Sequence, residues 1–372
     1  MGKKILIIGN GFDLTHGLPT RYSDFLNFIE LIQKLNKPEY GKRAFDDWAG
    51  NVQILRMLQD SSKTGNAVLQ VKEYLQDNIW GVYLSAIYED KIMQGENWID
   101  FESEISHVIQ WMDQKEQDIS LSTGKLTNKV TDYEMDDPKI TKFMGYIQDY
   151  EKEYTTIDLF IQKLYKDLER MIQALQIYLV HFVERIPIEH NEILEGIKPN
   201  YVISFNYTHI FERTYGNAPV CYIHGECKET TSCNMVLGID EYLPEGERNE
   251  RTNYAIFKKF LQRIRKKNDL QYLKWSREIG GLYRRCEGMR ARDLNPGNID
   301  SGISDLYVYG HSLDITDKDV LKHFLEPEYT RLHIYAKGVV TEGKLLSNMI
   351  RIMSEKTLIK KSTTEMLETK VI

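Results

Sequence analysis

Two side chains in this sequence could act on one substrate. Asn206 sits in Phe205-Asn206-Tyr207-Thr208, and His224 follows eighteen residues later in Ile223-His224-Gly225-Glu226. A carboxamide can hold a hydroxyl or a water, since it both donates and accepts. An imidazole with an ordinary pKa near ~6.5 is largely neutral at pH 7 and can take a proton. Each residue also has a structural reading, as an Asx-turn amide and as a hydrogen-bonded histidine. A third candidate is the loop Gly9-Asn10-Gly11-Phe12-Asp13. Two glycines directly after an apolar run let the backbone be approached closely. That suits a phosphate held on main-chain N–H groups, and equally a tight strand-to-helix turn. The fourth is Gly310-His311-Ser312-Leu313-Asp314. Ser312 could donate to a ribose or a phosphate, while Asp317 reads as the cap of the next helix.

Something must bring these four loops together. Residues 3–8, 201–205, 220–223 and 305–309 are short apolar runs that read as strands buried on both faces, and 331–335 is a fifth. Between them lie helical patterns. From about 40 to 198 apolar residues recur at three- and four-residue steps, with a long amphipathic stretch over 157–186. A second helical block spans 245–290, and the tail from 343 reads as a helix with a polar end. Strands alternating with helices predict an open parallel α/β sheet, in which ligands bind outside the carboxyl ends of the strands. The loops after residues 8, 205, 223 and 309 should then share one site.

Composition narrows the class. The chain has 372 residues and a net charge of −7, which argues against a protein that holds nucleic acid through a strong positive field. The basic run Lys258, Lys259, Arg263, Arg265, Lys266 and Lys267 reads as a solvated helix face. Cys221, Cys227 and Cys233 are spaced too widely for a zinc knuckle, and Cys286 stands apart. Thiols in a reducing compartment are expected, with no metal. No apolar stretch approaches the ~18 residues of a membrane span, and the N-terminal run is too short for a secretory signal. A cytoplasmic protein is expected. The polar, acidic stretch 113–155 reads as an exposed insertion or lid.

Taken together, the four loops resemble a sirtuin-like NAD-binding core. A sirtuin reads G-A-G-I-S, three residues, then G-I-P; this chain reads G-N-G-F-D, three residues, then G-L-P. Asn206 falls on the asparagine of T-Q-N-I-D, His224 on the histidine of H-G, and Gly310, Ser312 and Leu313 on G-T-S-L. The closer resemblance is to the AbiH family of bacteriophage abortive-infection proteins. It is carried by I-L-I-I-G-N-G-F-D-L-T-H-G-L-P-T, by Trp98 to Glu102, and by S-F-N-Y-T, Y-I-H-G and Y-G-H-S-L, and it covers residues 5 to about 335. There are departures from the sirtuin pattern. Thr20-Arg21-Tyr22 replaces D-F-R, Thr208 replaces the aspartate of N-I-D, and no cysteines match the zinc module that helps hold an acyl-lysine peptide.

The resemblance implies a sirtuin-like, Rossmann-type parallel sheet with large helical insertions. The core would comprise 1–30 and 199–345, with helical insertions at 31–198 and 245–295 and a C-terminal helix or tail at 346–372. It implies NAD as substrate, hydrolysed to nicotinamide and ADP-ribose to deplete an infected cell. Asn206 and His224 would be catalytic. Gly9, Asn10, Gly11, Phe12, Asp13, Thr20, Tyr207, Thr208, Gly225, Gly310, His311 and Ser312 would hold the dinucleotide. Asp13 could contact a ribose or brace its loop, and bracing fits better beside a diphosphate. The alternatives are a sensor that binds NAD or an ADP-ribose derivative without turnover, and a nucleic-acid-directed toxin. A constitutive hydrolase would kill its own cell, so off-state control by a homo-oligomer or by 113–155 is expected, released by a phage trigger.

Overall fold

The computed structural model describes residues 2–34, 52–120, 137–147 and 156–372, apart from 217, 231, 245, 249–250, 269 and 293–299. The chain divides into two compact units. The first comprises Met1–Leu18, Pro187–Glu226 and Asn268–Ile372, and the second Pro19–Ile186 and Cys227–Lys267.

The first unit is built on six strands: β1 (Lys4–Ile8), β2 (Tyr201–Ser204), β3 (Val220–Tyr222), β4 (Ser304–Tyr309), β5 (Thr330–Ala336) and β6 (Leu367–Val371). They run parallel in the order β3-β2-β1-β4-β5-β6. This is the open parallel α/β sheet the apolar runs predict, Rossmann-like as the resemblance implies, with a sixth strand added at one edge. The central strands need apolar residues on both faces, and Ile5, Leu6 and Ile7 of β1 are fully buried. The helices Gln271–Arg290, Lys318–Leu325 and Val339–Met353 pack on one face, against Ile5, Ile7, Leu306, Val308, Leu332 and Ile334. β1 is flanked by β2 on one side and β4 on the other. The chain therefore reverses its direction of travel across the sheet at β1, the place where parallel α/β sheets ordinarily bind ligands.

The second unit is helical among its described residues. Its longest helix, Ile157–His181, buries Leu164, Leu168, Met171, Ile172 and Leu175. Trp80 Nε1 donates to the Leu164 carbonyl at 2.8 Å, and the buried Asp167 carboxylate accepts from the Ile79 N–H at 2.9 Å. Asp100 of the Trp98–Glu102 motif accepts from the Glu102 N–H at 3.1 Å and so opens the helix Phe101–Ser120.

Four expectations need correction. The solvated basic face over 258–267 is instead largely buried ion pairs: Lys258 with Glu241 at 2.8 Å, Lys259 with Glu102 at 2.6 Å and Lys266 with Glu169 at 2.9 Å. Charges so neutralised give the nucleic-acid reading no support. Within 113–155 the residues Pro138–Ile147 form a helix that buries Ile140, Phe143, Met144 and Ile147, a core element rather than a lid; 121–136 and 148–155 lie outside the described residues. The block 245–290 is not one insertion, because Tyr272, Trp275 and Ile279 pack into the core beneath the sheet. The tail after 346 ends in a strand, β6, whose charged residues hid it.

No described helix is long and apolar enough to cross a membrane.

The end of the sheet is secured by a buried amine. Lys361, 3% exposed, donates to the carbonyls of Pro327 and Thr330, each at 2.7 Å. Burial pushes its pKa down to about 8. In the unfolded chain the same amine keeps its proton to the ordinary value of about 10.4. Between these values the unfolded state binds more protons, so stability rises with pH from about 8 toward 10. Urea unfolding at a series of pH values is expected to show that rise, and Lys361→Met is expected to flatten it.

Candidate functional site at the strand tips

The carboxyl ends of β1 to β4 carry nearly all the expected residues. Gly9–Asp13 follow β1, Phe205–Thr208 follow β2, His224 and Gly225 follow β3, and Gly310–Ser312 follow β4. Thr20 belongs to the second unit.

At the β1 and β2 tips the organising group is Asp13, which is 1% exposed. Its carboxylate accepts from Asn206 Nδ2 at 2.8 Å and from Thr208 Oγ1 at 2.6 Å. Asn206 Nδ2 also donates to the Gly9 carbonyl at 3.0 Å. Both amide hydrogens of Asn206 are thereby directed into the turn, and Oδ1 is left as the atom able to accept from a ligand hydroxyl. Asp13 braces the loop, one of its two expected roles.

The glycines have a more definite reason than the sequence offers. Gly310 adopts φ +68°, and the Gly11 N–H donates to its carbonyl at 2.8 Å. A Cβ on Gly11 would lie 2.7 Å from Gly310 Cα, and one on Gly310 would lie 2.2 Å from Phe12 N. The two loops touch backbone to backbone, and a methyl group at either position would drive them apart. The same packing uses main-chain donors. Gly9 N–H points at the Tyr309 carbonyl at 3.4 Å, and Phe12 N–H donates to the Gly9 carbonyl at 2.8 Å. The amides of Gly9, Gly11 and Phe12 are therefore engaged within the fold, and the expectation that they cradle a diphosphate is corrected. Side chains with access to solvent remain at Asn10 and Ser312.

At the β3 and β4 tips lies a second buried cluster. His224 is 6% exposed, with Nε2 at 3.1 Å from Asp317 Oδ1. Asp317 Oδ2 lies 3.5 Å from His311 Nε2, and His311 Nδ1 accepts from the Leu313 N–H at 2.8 Å. That last bond puts the neutral His311 proton on Nε2, facing the carboxylate. By the same logic the carboxylate places a proton on His224 Nε2 and the ring lone pair on Nδ1. The Phe205 ring packs against both imidazoles, its centroid 4.2 Å from that of His311 and 5.5 Å from that of His224.

Asp317 is the residue sequence reading missed. Its side chain caps nothing; Asp314 supplies the local cap, accepting from the Thr316 N–H at 3.0 Å. A second missed pair is His209 Nε2 with Glu226 Oε2 at 2.9 Å, which ties the β2 loop to the β3 loop. A third is His16. Its Nδ1 donates to the Phe12 carbonyl at 2.8 Å, and its Nε2 accepts from Tyr215 at 2.6 Å. Burial pushes this imidazole below its ordinary pKa, which suits the neutral ring that both bonds need. No local signal marks Asp317 or Glu226, because their partners lie far away in sequence or across a turn.

A family model described as bacteriophage abortive infection AbiH matches residues 5–334. No curated protein and no solved structure gives a match.

Removing the Asp13 carboxylate leaves two buried donors unmatched. Asp13→Ala is expected to destabilise the protein by about 2–4 kcal/mol, and Thr208→Val by about 1 kcal/mol, in denaturant unfolding. Equal and small effects would contradict the bracing role.

Proposed function

Since the chain belongs to the AbiH family of bacteriophage abortive-infection proteins, we propose that it serves that response by binding NAD at these strand tips and hydrolysing its nicotinamide–ribose bond. The observation that carries this reading is the pairing of His224 with Asp317 at the same sheet edge where Asn206 is held with Oδ1 outward.

The chemistry follows from those atoms. Water attacks the anomeric carbon as the bond to the nicotinamide nitrogen breaks, and the bonding electron pair leaves with nicotinamide. The water's second proton passes to His224 Nδ1. Asp317 steadies the imidazolium that forms, as an acceptor already in place on Nε2. Asn206 Oδ1 accepts from a ribose hydroxyl and fixes the sugar relative to the base. The side chains of Asn10 and Ser312 are exposed at these strand tips and would face the diphosphate. Asp13, buried behind Asn206 and already matched by two donors, is kept from repelling it.

Two departures from the sirtuin pattern support the resemblance when taken together. A sirtuin carries serine where this chain has Asp13, and aspartate where it has Thr208. Here the carboxylate and the hydroxyl have changed places across the same two strand tips, and they bond to each other at 2.6 Å.

A second reading, binding without turnover, is favoured by one feature. His224 is enclosed by Phe205 and Asp317, which narrows the approach of water.

Purified protein incubated with NAD is expected to release nicotinamide and ADP-ribose, resolved by chromatography. Asn206→Ala and His224→Ala should abolish release while leaving the circular dichroism spectrum unchanged. Asp317→Asn should slow turnover by about 10²-fold or more, the scale of general-base assistance. If calorimetry detects NAD binding while no nicotinamide appears, the sensor reading stands instead. Wild-type activity that survives in all three variants would remove the strand tips from the reaction.

A further inference from the structure

β6 is the last strand of the sheet and, among the described residues, pairs only with β5. The direction of its outer hydrogen-bonding groups can be read from the inner ones. Leu332 N–H donates to the Met366 carbonyl at 2.8 Å, and Ile372 N–H donates to the Ala336 carbonyl at 2.9 Å. In a parallel pair, groups facing a neighbour alternate along the strand. Met366, Glu368, Lys370 and Ile372 therefore point their main chain at β5. Leu367, Thr369 and Val371 point theirs outward, away from the sheet.

We infer that this edge pairs with β6 of a second copy of the chain, antiparallel and centred on Thr369, so that the two sheets become one. In that register every outward residue meets another outward residue. Thr369 faces Thr369 of the second copy, and Leu367 faces its Val371. Each of these residues then gives and receives a main-chain bond. Glu368 and Lys370 fall on the positions between, where opposed side chains come closest. Glu368 of one copy lies opposite Lys370 of the other, and the symmetry supplies that contact twice. Moving the centre of pairing by one residue, to Lys370 or to Glu368, still sets outward groups opposite outward groups but places Lys370 against Lys370 or Glu368 against Glu368, whereas an alignment centred between two residues sets outward groups opposite inward ones. The charge pattern and the hydrogen-bond pattern thus select one alignment.

The surroundings suit this occupant. Glu368 and Lys370 share a face, 3.2 Å apart, and are half exposed. Glu368 is held upright by His333, whose Nδ1 lies 2.8 Å away. On the opposite face Val371 is 52% exposed, an apolar side chain that Leu367 of the second copy would cover. The Thr369 hydroxyl donates to Glu342, which fixes the strand's own rotation before any partner arrives.

The test is the mass of the full chain in solution by light scattering after gel filtration, over a range of protein concentration. The wild type is expected to have the mass of a dimer. Lys370→Glu places glutamate opposite glutamate twice and should weaken dimerisation by about tenfold or more. The double variant Glu368→Lys with Lys370→Glu restores opposite charges and should restore the dimer. Thr369→Pro removes an outward N–H without touching the pairing to β5, and should give a monomer with an unchanged circular dichroism spectrum. A wild-type monomer at every concentration overturns the proposal. So does a dimer unaffected by Lys370→Glu and Thr369→Pro, or a double variant no better than the single one.

Discussion

A carboxylate buried at the tip of a central strand must be met by donors, and that requirement organises the site of this protein. Asp13 is reached by an amide and a hydroxyl, both from the loop after the neighbouring strand. A buried charge left without such donors would cost several kcal/mol, so β1 and β2 cannot shift relative to one another without breaking the site. The same bonds decide which end of Asn206 is available. A carboxamide has a donor end and an acceptor end, and Asp13 takes the donor end. Whatever binds in front of Asn206 is therefore selected as a hydroxyl rather than as an anion.

The second constraint is steric and lies on the other side of β1. Gly11 and Gly310 bring the β1 and β4 loops into backbone contact, at the point where the strand order reverses. Loops at such a reversal ordinarily diverge and leave a crevice. Here the contact closes its floor, using main-chain donors that a phosphate would otherwise take. Above that floor stand two buried groups, one built on Asp13 and one on Asp317. Each consists of a carboxylate with two polar partners, at least one of them from the tip of another strand.

What could be read in the sequence follows the range of the forces involved. The strand β1 was legible because a strand buried on both faces must be apolar throughout, and Ile5-Leu6-Ile7-Ile8 admits little else, while β4 and β5 showed through the alternation of Leu306 and Val308 and of Leu332 and Ile334 with more exposed residues. Strand β6 was not, because an edge strand exposed to solvent carries charges, and Leu-Glu-Thr-Lys-Val looks like the end of a helix. The convergence of Asn206, His224 and Gly9–Asp13 on one sheet edge followed from topology alone. The role of Asp317 did not follow, since an aspartate ahead of a helix is more often a cap, and its partner His224 lies 93 residues away in sequence. The basic run misled for a similar reason. Glu102 and Glu169 neutralise it from more than ninety residues away, and only the fold brings them near.

The central claim is that the tips of β1 to β4 make a site for NAD. Hydrogen–deuterium exchange of the His224→Ala protein, with and without NAD, tests it most directly, because the ligand should not be consumed. The account predicts slowed exchange confined to peptides covering 9–13, 205–209, 223–226 and 310–317. Slowed exchange elsewhere with these peptides unchanged, or no change at saturating NAD, would contradict it.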